Sequence, residues 1–180
     1  MSLAAGREGG GAPLILTADL PDDLGGWANE LRTRHFPPER NHLRAHVTLF
    51  HALPFFLEAE VTALLGRMAG ELAPVPARLE GIMPLGRGTA LKLASPAMLA
   101  LRDRVADHFT GSLTSQDAHR PRLHVTVQNK VSVADAKALQ AALAPQVQPR
   151  TFHFPAVSLH RYRGGPWEFV RRFAFRGNGG

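Results

Sequence analysis

The spacing of apolar residues predicts strands and helices that alternate along the chain. Short apolar runs rich in β-forming residues predict strands, and apolar residues three or four positions apart predict helices. The first half is predicted to contain, in order, a strand over 13–20, a helix over 22–34, a strand over 43–53, a helix over 58–72 and two or three short strands over 77–95. The second half is predicted to contain a helix from the Ser95 cap to about Thr110, a strand over 120–132, a helix over 134–143 and two strands within 150–176.

Glycine and proline residues mark the turns between these elements. Gly86-Arg87-Gly88 is typical of a hairpin turn, and Gly164-Gly165-Pro166 separates the two strands of the tail. The resulting order is β-α-β-α-β-β followed by α-β-α-β-β. This order predicts an α+β fold of two similar lobes. We expect one domain over 13–176, with a flexible leader over 1–12 and a flexible tail over 177–180.

An internal repeat lies in corresponding strands of the two predicted lobes. The segment Leu43–Leu49 reads LRAHVTL, and Pro121–Val127 reads PRLHVTV. Both copies contain Arg-x-His-Val-Thr followed by Leu or Val. One His-x-Thr motif is usually structural, whereas two copies in equivalent strands indicate a shared function.

The alternation of a strand predicts where the repeated side chains point. Successive side chains lie on opposite faces, so residues two apart share a face. The first motif strand then presents Arg44, His46, Thr48 and Phe50 on one face, and the second presents Arg122, His124, Thr126, Gln128 and Lys130. The intervening residues Val47, Leu49, Leu123, Val125 and Val127 would point into the core. His51 would point away from the polar face and have a structural role.

Two facing histidines with two hydroxyl groups are suited to phosphodiester chemistry. A neutral imidazole can take a proton from an attacking water or hydroxyl group, and a protonated one can donate a proton to the leaving oxygen. Histidine suits both roles because its unperturbed pKa is about 6.5. The hydroxyl groups of Thr48 and Thr126 can bind the non-bridging phosphate oxygens. We therefore predict His46 and His124 as catalytic and Thr48 and Thr126 as phosphate-binding residues.

The paired motifs HVTL and HVTV resemble those of the two-histidine (2H) phosphoesterase superfamily, in particular its 2'-5' RNA ligase-like branch. The resemblance covers about residues 13–176. It implies a bilobal α+β fold in which each lobe has an antiparallel sheet and helices and contributes one motif to a central groove. It also implies a metal-independent RNA 2',3'-cyclic phosphodiesterase that forms 2'-phosphates, with reversible 2'-5' joining in some members.

Several residues near the motifs are candidates for substrate binding. Many relatives have a small residue and an arginine after the second motif, whereas Gln128-Asn129-Lys130 stands here, so Lys130 is predicted to supply the positive charge. Arg44 and Arg122 each precede a motif histidine by two residues. They either line the groove or are solvent-exposed residues at the starts of their strands. Tyr162 and Trp167 flank the Gly-Gly-Pro turn; they either stack on a base or pack the hairpin itself.

Composition adds a preference for anionic partners. The chain has 180 residues, 21 Lys and Arg against 15 Asp and Glu, and a formal net charge of +6. Eighteen of the basic residues are arginines, whose planar guanidinium group fits phosphate oxygens. The chain has no cysteine and no HExxH spacing, so we expect no metal site and no cofactor. No apolar run is long enough to span a bilayer, so we expect a cytoplasmic protein without a membrane partner. We also expect a monomer, because a two-lobed chain with an internal groove can act alone.

The sequence leaves two alternatives open. An RNA-binding protein with little catalysis would need the basic groove but not two proton carriers. The other alternative is a small-molecule cyclic phosphodiesterase, for example one acting on an ADP-ribose cyclic phosphate. Its substrate affinity should respond little to salt, whereas that of an RNA-end enzyme should fall steeply with salt. An RNA end or a cyclic-phosphate nucleotide is therefore the expected partner.

Overall fold

The computed structural model describes residues 11–178. Its eight strands are β1 (Leu14–Ala18), β2 (Val47–Leu53), β3 (Val75–Pro84), β4 (Thr89–Ala94), β5 (His124–Gln128), β6 (Arg150–Phe154), β7 (Ala156–Arg161) and β8 (Glu168–Ala174). Its four α-helices are α1 (Asp22–His35), α2 (Glu58–Glu71), α3 (Pro96–His108) and α4 (Val133–Leu143). The α+β class is confirmed.

The strands form two four-stranded antiparallel sheets, one in each lobe. The first has the order β2-β1-β7-β8, and the second has the order β5-β4-β3-β6. The two strands that carry the repeat, β2 and β5, are therefore each at the edge of a sheet. This equivalence confirms the prediction of two similar lobes.

The helices cover the sheets and join the lobes. Helix α2 packs against β8, whereas α3 and α4 pack against β3. Helix α1 connects β1 and β2 of the first sheet but packs against β5 of the second. Helix α1 is thus joined through the chain to the first sheet and packed against the second. This packing holds the edge strands β2 and β5 in a fixed relative position.

Local signals in the sequence account for several boundaries. Ser95 caps α3 as expected, because its Oγ accepts a hydrogen bond from the Met98 N–H at 3.0 Å, and Pro96 is the first helical residue. The predicted hairpin turn lies between β3 and β4, with Gly86 at a φ of 75°. Glycine adopts this left-handed conformation without steric cost.

The prediction of two strands within 150–176 is wrong, because that segment contains three. Pro155 separates β6 from β7, and the chain passes there from the second sheet to the first. Proline has no N–H to donate to a ladder, so the apolar run is divided at that residue. The predicted turn at 164–166 lies between β7 and β8.

Both ends of the predicted domain lie near the limits of the described chain. Residues 1–10 of the predicted leader and residues 179–180 of the predicted tail lie outside the described residues. Gly177, assigned to the tail, donates its N–H to the Leu72 carbonyl at 2.9 Å and so belongs to the folded part. Among residues 11–178, no helix has the length and apolar character needed to cross a membrane.

Candidate active site

The structure brings the four repeated side chains together. His46 directly precedes β2 and His124 begins β5, and the apolar residues between the motif positions are buried. Burial of Val47 and Val125 turns the histidine and threonine side chains of each motif to the opposite face. His46, Thr48, His124 and Thr126 all line a cavity of about 550 Å³ between the lobes. We call this cavity the groove.

Each motif histidine has the same ring orientation. Nδ1 of His46 lies 2.7 Å from the carbonyl oxygen of Arg44, and Nδ1 of His124 lies 2.6 Å from that of Arg122. A carbonyl oxygen can only accept, so each Nδ1 carries a hydrogen and donates it. The Nε2 atom of each ring is then the nitrogen left for proton transfer.

His46 is in an environment that favours the neutral imidazole. Burial lowers its pKa to about 4, and the positive charges of Arg32, His160 and His124 act in the same direction. The hydrogen bond to the Arg44 carbonyl opposes this shift. The Trp167 ring lies against the imidazole, with 4.8 Å between the ring centroids. His46 is therefore neutral near pH 7 and can accept a proton.

Arg32, which is not among the residues predicted from the sequence, connects the first lobe to the second motif. The side chain comes from α1 and is only 4% exposed. Its Nη1 donates to the Thr126 carbonyl at 2.8 Å, and its Nε donates to Asn41 Oδ1 at 3.1 Å. Its guanidinium group lies over the Phe36 ring at 4.3 Å. One buried side chain thus holds β5 and places a positive charge near His46.

Arg102 makes the reciprocal connection. It comes from α3 of the second lobe and is 2% exposed. Its Nε donates to the Leu49 carbonyl of β2 at 3.3 Å, and its Nη2 donates to the Asp117 carbonyl. The guanidinium group lies over the Phe50 ring at 4.2 Å. Each lobe therefore sends a buried arginine to the motif strand of the other.

A second internal repeat marks these two arginines. Leu31–Arg34 reads LRTR, and Leu101–Arg104 reads LRDR. The first arginine of each copy is buried and the second is exposed. The recurrence of Leu-Arg-x-Arg on two predicted helices was the signal that could have identified Arg32 and Arg102.

The prediction that His51 points away from the polar face is wrong. Thr48 pairs with Thr17 and Phe50 pairs with Leu16, so Leu49 is an extra residue in β2. This bulge shifts the alternation by one position. Phe50, expected on the polar face, is completely buried, and His51 lines the groove.

A buried carboxylate holds His51 in place. Asp117 Oδ1 accepts the His51 N–H at 2.8 Å and lies 3.2 Å from His51 Nδ1, and Oδ2 accepts the Ala52 N–H at 2.8 Å. Burial by itself would raise the pKa of Asp117. The hydrogen bonds from the His51 ring and from the two backbone N–H groups outweigh that effect and hold the pKa below its usual value.

A second cavity lies on the other side of His46. It has a volume of about 660 Å³, and we call it the side cavity. Among its lining residues are Arg44, Trp167, Phe169 and His160. Thr17 Oγ1 lies 3.2 Å from His160 Nε2, and burial lowers the pKa of His160. Because His46 lines both cavities, it stands between them.

The remaining candidates lie in different places. Arg122 lines the groove. Tyr162 is exposed and lines neither the groove nor the side cavity.

Strand β5 ends at Gln128 and does not reach Ser132, where the sequence predicted its end. Gln128 is buried and accepts a hydrogen bond from Thr89. Lys130 follows with a φ of 59° and lies in a separate cavity with Phe36, Glu39, Arg40 and His42.

Within 11–178 there is no group of three or more His, Asp or Glu side chains arranged to hold a metal ion.

The chain matches one protein family and a set of solved structures. The sequence profile described as the 2'-5' RNA ligase superfamily matches residues 20–166. A search of curated proteins finds no match. TT0787 of Thermus thermophilus is 19% identical, over 92% of this chain and 99% of that one, with a TM-score of 0.63. E. coli LigT in complex with NADP+ is 18% identical, over 92% and 98%, with a TM-score of 0.58. At these identities the structures show a common fold.

Proposed function

Because the chain belongs to the 2'-5' RNA ligase superfamily, we propose that it is a phosphodiesterase that opens 2',3'-cyclic phosphates at RNA ends and leaves a 2'-phosphate. The observation that carries this proposal is that two His-x-Thr motifs, one from each lobe, line one groove. The superfamily supports the coarser assignment to a phosphoesterase-type enzyme that acts on RNA or nucleotides. E. coli LigT has been crystallised with 3'-AMP and with phosphate, which agrees with a nucleotide substrate.

The two histidines divide the proton transfers. Nε2 of the neutral His46 takes a proton from a water molecule as the water oxygen attacks the phosphorus atom. The bond between phosphorus and O3' breaks, and Nε2–H of a protonated His124 donates its proton to O3'. One water molecule is consumed, and the ribose is left with a 2'-phosphate and a free 3'-hydroxyl group.

This assignment of base and acid follows from the surroundings of His46. Burial against Trp167 and the nearby Arg32 charge disfavour its protonated form, so it is suited to accept a proton. The scheme requires the opposite protonation state at His124, so His124 is the acid.

The threonines complete the phosphate site. The hydroxyl groups of Thr48 and Thr126 are in the groove beside the histidines and can donate to the two non-bridging oxygens. Donors that are already in place stabilise the negative charge that develops there in the transition state. This scheme uses no metal ion.

The side cavity is proposed to hold the nucleobase. Trp167 and Phe169 offer aromatic faces there, and bases stack on such rings. Arg44 lines the same cavity, and its guanidinium group can donate hydrogen bonds to acceptor atoms of the base. Trp167 is therefore the substrate-binding candidate that the geometry favours, whereas Tyr162 lies outside both cavities.

The same groups could also join RNA ends. If the 5'-hydroxyl group of a second RNA replaces water, His46 takes its proton and a 2'-5' phosphodiester forms as the bond to O3' breaks. The balance of proton transfers is unchanged, so ligation requires no further residue.

The test is to identify the product. An RNA oligonucleotide ending in a 2',3'-cyclic phosphate is incubated with the protein in EDTA, and the product is analysed by phosphorus NMR. We expect a 2'-monophosphate. A 3'-monophosphate, or an activity that EDTA abolishes, would contradict the proposal.

A further inference from the structure

The groove contains two histidines besides the catalytic pair. His51 lies on β2 and His119 lies in the segment between α3 and β5, and both line the groove. We propose that His51 and His119, with Arg120 and Arg122, form a second phosphate-binding subsite, which holds the 5'-phosphate of the nucleotide whose cyclic phosphate reacts. This inference rests on the proposed function, because the reacting phosphate defines the first subsite.

The rings of His51 and His119 are fixed in the same way as those of the catalytic pair. His51 Nδ1 lies 3.2 Å from Asp117 Oδ1, and His119 Nδ1 lies 2.7 Å from the Ser115 carbonyl. Both partners are oxygens that accept, so each Nδ1 donates. All four groove histidines thus use Nδ1 to bind the protein and leave Nε2 for a ligand. Such preorganisation lowers the entropic cost of binding.

The charge of the groove suits a second phosphate. Three guanidinium groups, those of Arg102, Arg120 and Arg122, line it together with one carboxylate, that of Asp117. Even when Asp103, whose carboxylate pairs with Arg120, is counted, the groove has a net positive charge before any histidine is protonated. The Asp117 carboxylate is 1% exposed and occupied by hydrogen bonds from β2. Arg120 is oriented by Asp103, whose Oδ1 accepts from Nε at 3.3 Å.

The side cavity offers a contrasting environment. It is lined by two aspartates, Asp19 and Asp22, by one arginine, Arg44, and by aromatic rings that include Trp167 and Phe169. A nucleobase can stack there, but a phosphate would meet two carboxylates against one guanidinium group. The groove, at about 550 Å³, is within the size range of nucleotide sites, and a single phosphate group would fill only part of it. The second phosphate therefore belongs in the groove.

The subsite would determine which cyclic phosphates the protein accepts. The terminal nucleotide of an RNA has a 5'-phosphate, because it is linked to the preceding nucleotide. A free nucleoside 2',3'-cyclic phosphate has none. A protein that binds both phosphates distinguishes an RNA end from the free nucleoside derivative.

The test compares two product-like ligands by calorimetry in EDTA: adenosine 2'-monophosphate and adenosine 2',5'-bisphosphate. Charge-assisted hydrogen bonds to the second phosphate should make the bisphosphate bind about 10- to 100-fold more tightly to the wild type. In His51→Asn and His119→Asn, this advantage should fall by about tenfold or more. Asparagine keeps a donor near the position of Nδ1 and removes Nε2.

A matched control and one further measurement complete the design. His153→Asn changes an exposed histidine on β6 that lines neither cavity, and it should keep the full advantage. Equal affinity of the two ligands for the wild type, or an unchanged advantage in both groove variants, would overturn the subsite. Turnover of the RNA substrate, measured in parallel with binding, separates the two proposals. If the wild type shows turnover but binds the bisphosphate no more tightly, only the subsite is overturned. If the bisphosphate advantage is present in the wild type and lost in both variants, but the wild type shows no turnover, the subsite is supported and the proposed function is contradicted.

Discussion

Arg32 donates from the helix of one lobe to the Thr126 carbonyl in the motif strand of the other, at 2.8 Å. Arg102 does the same in the opposite direction through the Leu49 carbonyl. A hydrogen bond from a buried cation to a backbone carbonyl fixes the strand itself, not only a side chain. The distance between the two catalytic motifs is therefore set by two buried side chains that contact backbone.

The first prediction concerns the charge of Arg32. That charge disfavours the protonated form of His46, so its removal in Arg32→Met should raise the pKa of His46. The acid limb of the kcat/KM profile, expected near pH 4 in the wild type, should move to higher pH. Arg34→Met removes an exposed arginine from the same helix and is the control. An acid limb that stays in place in Arg32→Met would contradict the account.

A second prediction concerns stability at the interface between the lobes. Arg102→Met leaves two buried carbonyl groups without their donor, which should lower the free energy of unfolding by about 2–4 kcal/mol. Arg104→Met loses only an exposed ion pair with Glu71, at 3.4 Å, and should change the free energy of unfolding by less than about 1 kcal/mol. Urea denaturation of both variants measures the difference. If both variants lose the same free energy of unfolding, the hydrogen bonds of the buried Arg102 do not contribute more than an exposed ion pair does.

The third prediction concerns pH and Asp117. Its pKa is depressed, so its ionisation stabilises the fold at neutral pH, and this contribution is lost as the pH falls through the folded-state pKa, below 3.8. Asp117→Asn should therefore be less stable than the wild type by about 1–3 kcal/mol at neutral pH. The difference should narrow at a second, acidic pH below 3.8, as the carboxyl group becomes protonated.

The control for this experiment is Asp107→Asn, which changes an exposed aspartate on α3. Its free energy of unfolding should follow that of the wild type at both pH values. A difference for Asp117→Asn that is the same at both pH values would mean that the carboxylate charge has no part in holding His51 and β2.

A fourth prediction separates the two aromatic candidates. Removing the Trp167 ring exposes His46 to water, so Trp167→Ala should move the acid limb of the pH profile upward and raise KM for an oligonucleotide substrate. Tyr162→Ala removes an exposed ring from the same hairpin and should change neither quantity. Similar effects of both substitutions would assign the role to the hairpin as a whole.

Local patterns in the sequence were sufficient to predict the motif strands and their core faces. Strict alternation places Val47 and Val125 in the core, and both are completely buried. The cap at Ser95 and the hairpin turn at Gly86 depend only on neighbouring residues, and both predictions are confirmed. The residues that determine each of these features lie within a few positions of one another in the sequence.

Features that depend on the partner strand could not be predicted in this way. The bulge at Leu49 arises from pairing with β1, and it is what brings His51 into the groove. Arginines near the end of a helix are usually solvated, so the residues next to Arg32 do not indicate its burial between the lobes; only the distant second copy of Leu-Arg-x-Arg does. Strand alternation predicts Lys130 on the polar face, but β5 ends at Gln128, before it reaches Lys130.

The measurement that tests the central claim most directly is turnover of an RNA oligonucleotide with a 2',3'-cyclic phosphate end by the wild type, His46→Ala and His124→Ala, with the affinity for adenosine 2'-monophosphate measured in parallel. General acid and base catalysis each contribute about 10²- to 10⁴-fold, so we predict losses of that size in both variants while the ligand still binds. If the wild type shows turnover and either variant retains it at a similar rate, the assignment of the two histidines is contradicted. A wild type that binds the ligand but shows no turnover would indicate a binding protein.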